Sequence, residues 1–137
     1  MIKTENAIGK IIVETAFEIH QRMGTGLLES VYEIVLCERL RQRGLQVERQ
    51  VPVPIEFDGI RIETGFRADL LVENKVIIEL KSLEFLNNAH KKQLLTYLKL
   101  SERKLGYLIN FGDPYFKNAL IRTVNGLDEE KSSREKR

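Results

Sequence analysis

Three ionisable side chains fall inside the most apolar stretches of this 137-residue chain. Asp69 interrupts the run Ala68-Asp69-Leu70-Leu71-Val72, and Glu79 and Lys81 close the run Val76-Ile77-Ile78-Glu79-Leu80-Lys81. Both runs read as strands, the second as a central one. Glu79 and Lys81, two residues apart, point to the same face of theirs. A charge beside a core is costly unless it is paired or binds a metal. Two adjacent carboxylates repel each other unless a cation lies between them. Hard oxygen donors suit Mg²⁺ or Mn²⁺. A lysine next to that cation could assist an attacking water or stabilise a phosphate in transfer. These are the parts of metal-assisted phosphodiester hydrolysis.

Register decides whether they meet. A two-residue Asn74-Lys75 turn would set Asp69 opposite Leu80, facing away from Glu79. A three-residue loop, or a bulge, sets Asp69 opposite Glu79 and brings the carboxylates together. The second arrangement is the expected one. Glu-x-Lys by itself carries little weight, because it recurs at 73–75, 102–104 and 129–131. Only the 79–81 copy ends a buried strand with an aspartate on the neighbouring one. The competing structural reading makes Glu79 and Lys81 a strand-end ion pair, with Asp69 meeting local backbone donors.

The elements around these residues follow from periodicity. Residues 4–22 carry Ile8, Ile11, Ile12, Thr15 and Ile19 at helical spacing. Gly24-Thr25-Gly26 breaks that helix. A second runs roughly from Leu27 to Arg43, ended by Gly44 in the left-handed conformation. Alternation then takes over at Gln46–Val53, where Pro52 and Pro54 mark an edge strand. Asp58-Gly59 signals a hairpin into a strand at Ile60–Thr64. The runs at 68–72 and 76–80 follow as two more strands. Residues 89–103 return to helix, and 105–111 and 119–124 read as strands. The predicted order is α-α-β-β-β-β-α-β-β, a mixed sheet flanked by helices in one α/β domain over residues 1–126. Residues 127–137 form a charged tail expected to be disordered.

Composition narrows the setting. Net charge is +2, so nucleic-acid binding would need local clusters of Lys and Arg. Arg39, Arg41 and Arg43 on the second helix, and Lys91, Lys92 and Lys99 on the third, are candidate phosphate contacts; solvated helix faces explain them equally well. The single cysteine, Cys37, excludes an intrachain disulfide and reads as a buried thiol. Charges spread through the N-terminal helix exclude a signal-peptide block, and no run approaches a membrane span. The cytoplasm is the expected location.

Gly26-Leu27-Leu28-Glu29-Ser30-Val31-Tyr32, followed by Ala68-Asp69-Leu70 and Glu79-Leu80-Lys81, resembles the GxxExxY protein family. That family is placed in the PD-(D/E)XK nuclease superfamily. The resemblance covers roughly residues 5–125 and implies a restriction-endonuclease-like core. It implies Asp69 and Glu79 as metal ligands and Lys81 as the catalytic lysine. It further implies Glu29 as an acid that helps organise the metal. Ala68 stands where the superfamily's name has proline. Gln93-Leu94-Leu95-Thr96-Tyr97 looks like the Gln-x-x-x-Tyr helix motif of RecB-like nucleases, which makes Gln93 and Tyr97 site candidates on one helix face. Plain packing and a surface glutamine are the alternative.

Glu29 also fits a plain helix-start role if Gly26 is the N-cap. His20 and His90 are second-rank candidates. The reading that results is a Mg²⁺- or Mn²⁺-dependent nuclease acting on DNA, with RNA and a second copy of the chain as further candidate partners. A non-catalytic nucleic-acid or protein-interaction module on the same scaffold is the alternative.

Overall fold

The computed structural model describes residues 3–127; the expected charged tail lies outside them from Asp128 onward. Helix α1 spans Glu5–Met23, with the Thr4 side chain accepting the Ala7 N–H at 3.1 Å as its N-cap. It buries Ile8, Ile12, Thr15 and Ile19 of the predicted stripe together with Ala16, while Ile11 is half-buried. Helix α2 spans Glu29–Gln42, with Leu28 as its N-cap. Glu29 is therefore its first helical residue, two positions earlier in the helix than a cap at Gly26 would make it. Gly44, at φ 88°, follows the helix end as predicted.

Five strands form one sheet in the order β1-β2-β3-β4-β5: β1 Val47–Phe57, β2 Ile60–Val72, β3 Val76–Lys81, β4 Leu105–Asn110 and β5 Leu120–Val124. All neighbours are antiparallel except β3 and β4, which run parallel and are joined through helix α3, Asn88–Leu100. The proline-bearing β1 is an edge strand and β3 is central, as expected. One expectation is corrected. Ile60–Thr64 and Ala68–Val72 are a single strand, so the sheet has five strands rather than six. Gly65 does not break it, because the Ile55 side chain of β1 lies over it; a Cβ there would come within 2.5 Å of that side chain. A short helix α4, Phe116–Ala119, also precedes β5 and takes in Ala119, where the predicted strand begins; residues 116–118 carry no predicted element.

Helices cover both faces of the sheet, which is why β3 and β4 are apolar on both sides. Helices α1 and α2 lie on the face of Leu70, Val72, Ile78, Leu80, Tyr107 and Ile109. Helix α3 brings Leu94 and Leu98 onto the opposite face, against Phe66, Ala68, Leu71, Ile77 and Leu108. Even-numbered residues of β2 thus change face between Ala68 and Leu70. In β1 the same switch falls between Val47 and Val53. Its centre is Gln50 and Asp69, which face each other across the two strands, and Gln50 has a left-handed φ of 51°. The β2–β3 ladder holds only Leu70–Ile78, Leu71–Ile77 and Val72–Val76. Beyond it β2 leaves β3 and continues with β1 as a two-stranded arm, closed by Asp58 (φ 49°) and Gly59 (φ 76°). No helix among the described residues is long and apolar enough to cross a membrane.

Candidate active site

The loop between β2 and β3 has three residues, Glu73-Asn74-Lys75. Left-handed Glu73 and Asn74 and a Lys75 N–H to Val72 carbonyl bond of 2.9 Å close it. Carried one pair past Leu70–Ile78, this register sets Asp69 opposite Glu79, the arrangement expected from the sequence. Here the strands part, and the Asp69 side chain fills the gap: its Oδ2 accepts the Leu80 N–H at 2.8 Å.

Glu79 lies on the α3 face of β3, half-buried. Its Oε1 is fully enclosed without a hydrogen-bond partner among the described residues. Burial pushes its carboxyl up to about 9. The Asp69 charge and a hydrogen bond with Asp69 contribute to that rise, while Lys81 opposes it. At neutral pH the Glu79 carboxyl is therefore protonated.

Lys81 is half-buried at the end of β3 and forms no direct ion pair among the described residues. The strand-end ion pair of the structural reading is thus not what the geometry shows. The other half of that reading, Asp69 meeting a backbone donor, is present alongside the carboxylate pairing. Glu29 comes close from another element. The Ser82 hydroxyl donates to the Leu27 carbonyl at 2.7 Å and ties the end of β3 to the loop that opens α2. Burial raises the Glu29 carboxyl; Lys81 lowers it, and Asp69 and Glu33 raise it.

These donors fit a hard divalent cation. Two acidic groups stand opposite each other, and one enclosed Glu79 oxygen lacks a partner among the described residues. Such ions need only one or two carboxylates when water and phosphate complete the shell. Among the described residues no three His, Cys, Asp or Glu side chains stand close enough to enclose a metal, so Glu29 remains at the rim.

Tyr97 reaches the same place from α3. Its ring stacks on Phe66 at 3.8 Å, and burial, then the charges of Glu79 and Asp69, push its hydroxyl up. Gln93, one turn earlier, is exposed. His90 caps α3 in a box with Asn87, and its charge also acts on Glu29. His20 is engaged elsewhere: its Nε2 lies 2.7 Å from the Asp113 carbonyl, among Phe111 and Phe116. Cys37 is buried, as expected.

Several residues at this site were not singled out from the sequence. Glu33, one turn after Glu29, is buried and accepts Arg49 at 3.0 Å and the Gln50 amide at 2.6 Å. The same amide nitrogen lies 3.3 Å from Asp69 Oδ1. The i,i+4 spacing of Glu29 and Glu33 was the available signal. Buried Asn110 clamps the loop after β3, taking the Leu83 N–H at 2.9 Å and giving to its carbonyl at 3.0 Å. Gly112 packs directly on the Leu83 backbone, where a Cβ would collide.

The basic residues divide. Arg39 pairs with Glu18 at 2.7 Å, Arg43 with Glu14 at 3.4 Å, and Arg41 binds Glu38 and the Val47 carbonyl. The α2 arginines therefore hold α1, α2 and β1 together. Lys91, Lys92 and Lys99 stay exposed on α3, and the first two adjoin His90.

Comparison with known proteins agrees with this architecture. No curated protein matches the chain. Among solved structures, a crystal structure of SSO0001 is similar at 20% identity and a TM-score of 0.54, covering 98% of this chain and 75% of that one. At that identity the likeness is one of fold. The model of the PD-(D/E)XK nuclease superfamily matches residues 6–123, nearly the whole described chain. With its mixed sheet between helices and its strand-borne acids and lysine, this chain belongs to the PD-(D/E)XK nuclease superfamily.

Proposed function

We propose that this chain is a Mg²⁺- or Mn²⁺-dependent nuclease that hydrolyses DNA phosphodiester bonds. The observation that carries this reading is the enclosed, unpartnered Glu79 Oε1 beside Asp69, with Lys81 free of a direct ion pair two residues on. Asp69 and Glu79 are the ligands, and Glu29 is an outer acid. A bound cation would polarise a phosphoryl oxygen and supply a more acidic water.

The protein's own groups do the rest. Lys81 offers a cation for the negative charge that grows on the phosphate. The Tyr97 hydroxyl, held over the acids by its stack on Phe66, orients a water or sugar oxygen. Gln93 and the exposed Lys91 and Lys92 contact the polymer outside the reacting centre. The segment Gly26–Tyr32 supports the narrower GxxExxY reading. Glu29 opens α2 near Lys81, and buried Tyr32 fixes the glycine turn through a 2.7 Å bond to the Gly24 carbonyl. The absence of a second cysteine supports a cytoplasmic setting.

The test is cleavage of plasmid DNA, single-stranded DNA and RNA with Mg²⁺ or Mn²⁺, by wild type, Asp69→Ala and Lys81→Ala. Metal-dependent cleavage of DNA is expected, reduced about a hundredfold or more in each variant. Cleavage that persists in both variants would end the proposal.

A further inference from the structure

The left-handed backbone at Gln50, φ 51°, is costly for a residue with a side chain. A kink in β1 would by itself favour glycine, which adopts that φ freely. What glutamine has and glycine lacks is the amide. Its single nitrogen carries two hydrogens. One goes to Glu33 Oε1 at 2.6 Å and the other toward Asp69 Oδ1 at 3.3 Å. The short bond to a buried carboxylate is the strong one. Glu33 is itself fixed by Arg49, whose Nη2 and Nε lie 3.0 Å and 3.1 Å from Oε2. The far end of this chain, Asp69, is the residue whose Oδ2 takes the Leu80 N–H at 2.8 Å.

We infer that Gln50 is a positioning residue: anchored by Glu33 and Arg49, its amide holds the Asp69 carboxylate in the orientation that faces Glu79. The inference rests on reading Asp69 and Glu79 as a cation-binding pair. Gln50 acts through Asp69 and does not itself contact cation or substrate.

The test uses the whole chain and two readouts. The first is native-state amide exchange of Leu80, which reports the Asp69 orientation without any metal, compared with Ile78 in the regular ladder. The second is Mn²⁺ affinity by calorimetry. Gln50→Gly removes the amide while suiting the backbone, so folding stability should be kept or increased. Exchange at Leu80 should speed up about tenfold with Ile78 unchanged, and Mn²⁺ affinity should fall about tenfold, as expected for losing one charge-assisted contact.

Glu33→Ala should reproduce the Leu80 effect by freeing the amide, and it serves as the test should Gln50→Gly not fold. Glu33→Gln, which keeps an acceptor for the amide, should restore protection. Unchanged Leu80 exchange in Gln50→Gly, or loss of protection at Leu80 and Ile78 together in step with global stability, would overturn the inference. Wild type that binds no Mn²⁺ would instead overturn the cation-pair reading, while Leu80 exchange still decides the role of Gln50.

Discussion

The Asp69 carboxylate accepts the backbone N–H of Leu80 at 2.8 Å, where continued pairing would have supplied a strand carbonyl. One side chain therefore joins two strands that are separating and also stands opposite Glu79. The structural role seen here and the cation binding proposed for Asp69 would fall on different properties of the same group. The bond needs only an acceptor, whereas cation binding needs the charge.

Substitutions at Asp69 should separate the two. Asp69→Ala leaves a buried N–H without an acceptor and should lower stability by about 1–3 kcal/mol. Asp69→Asn keeps an acceptor and should unfold in urea near the wild-type midpoint, yet lose Mn²⁺ binding. Equal destabilisation by both would place the importance of Asp69 in its charge alone.

Glu79 makes stability depend on pH and on cations together. Folding raises its carboxyl from 4.5 to about 9, so this group favours the folded state only while it is protonated. Its contribution is full below 4.5 and is lost as pH climbs toward about 9. Metal-free protein should weaken across that range by an amount on the order of a few kcal/mol. Glu79→Gln should flatten the profile, and saturating Mn²⁺ at mildly alkaline pH should restore the wild type. Thermal unfolding at a series of pH values, with and without Mn²⁺, measures all three. A flat metal-free wild-type profile would contradict the enclosed-carboxyl account.

The division among basic residues predicts unequal salt effects. Lys91→Ala with Lys92→Ala should weaken DNA binding and reduce the slope of log affinity against log salt by about one to two. Arg39→Ala with Arg43→Ala should leave that slope unchanged and instead loosen the α1–α2 contact seen in thermal unfolding. Fluorescence anisotropy with a labelled oligonucleotide, read in Ca²⁺ to prevent cleavage, gives the slopes.

The acids and lysine were legible because charge inside an apolar run is conspicuous, and the register turned on a single loop length. Gly65 misled because glycine usually punctuates a strand; that Ile55 lies over it is a fact of the neighbouring strand. Glu33 looks like any helix-surface acid until Arg49 and Gln50 arrive from β1, 16 and 17 residues later. The left-handed turn at Gln50 has no signal in residue type. Arg39 and Arg43 read as a basic cluster because their partners Glu18 and Glu14 lie on another helix. What sequence concealed is tertiary pairing, since local patterns say which groups are charged but not whom they meet.

The early end of the β2–β3 ladder separates craft from tool. Outboard of Asp69 the arm is paired only β1 to β2 among the described strands, so its tip at Asp58-Gly59 lies apart from the register that aligns Asp69 with Glu79. A scaffold divided in this way can vary its arm while the Asp69–Glu79 alignment stays as it is.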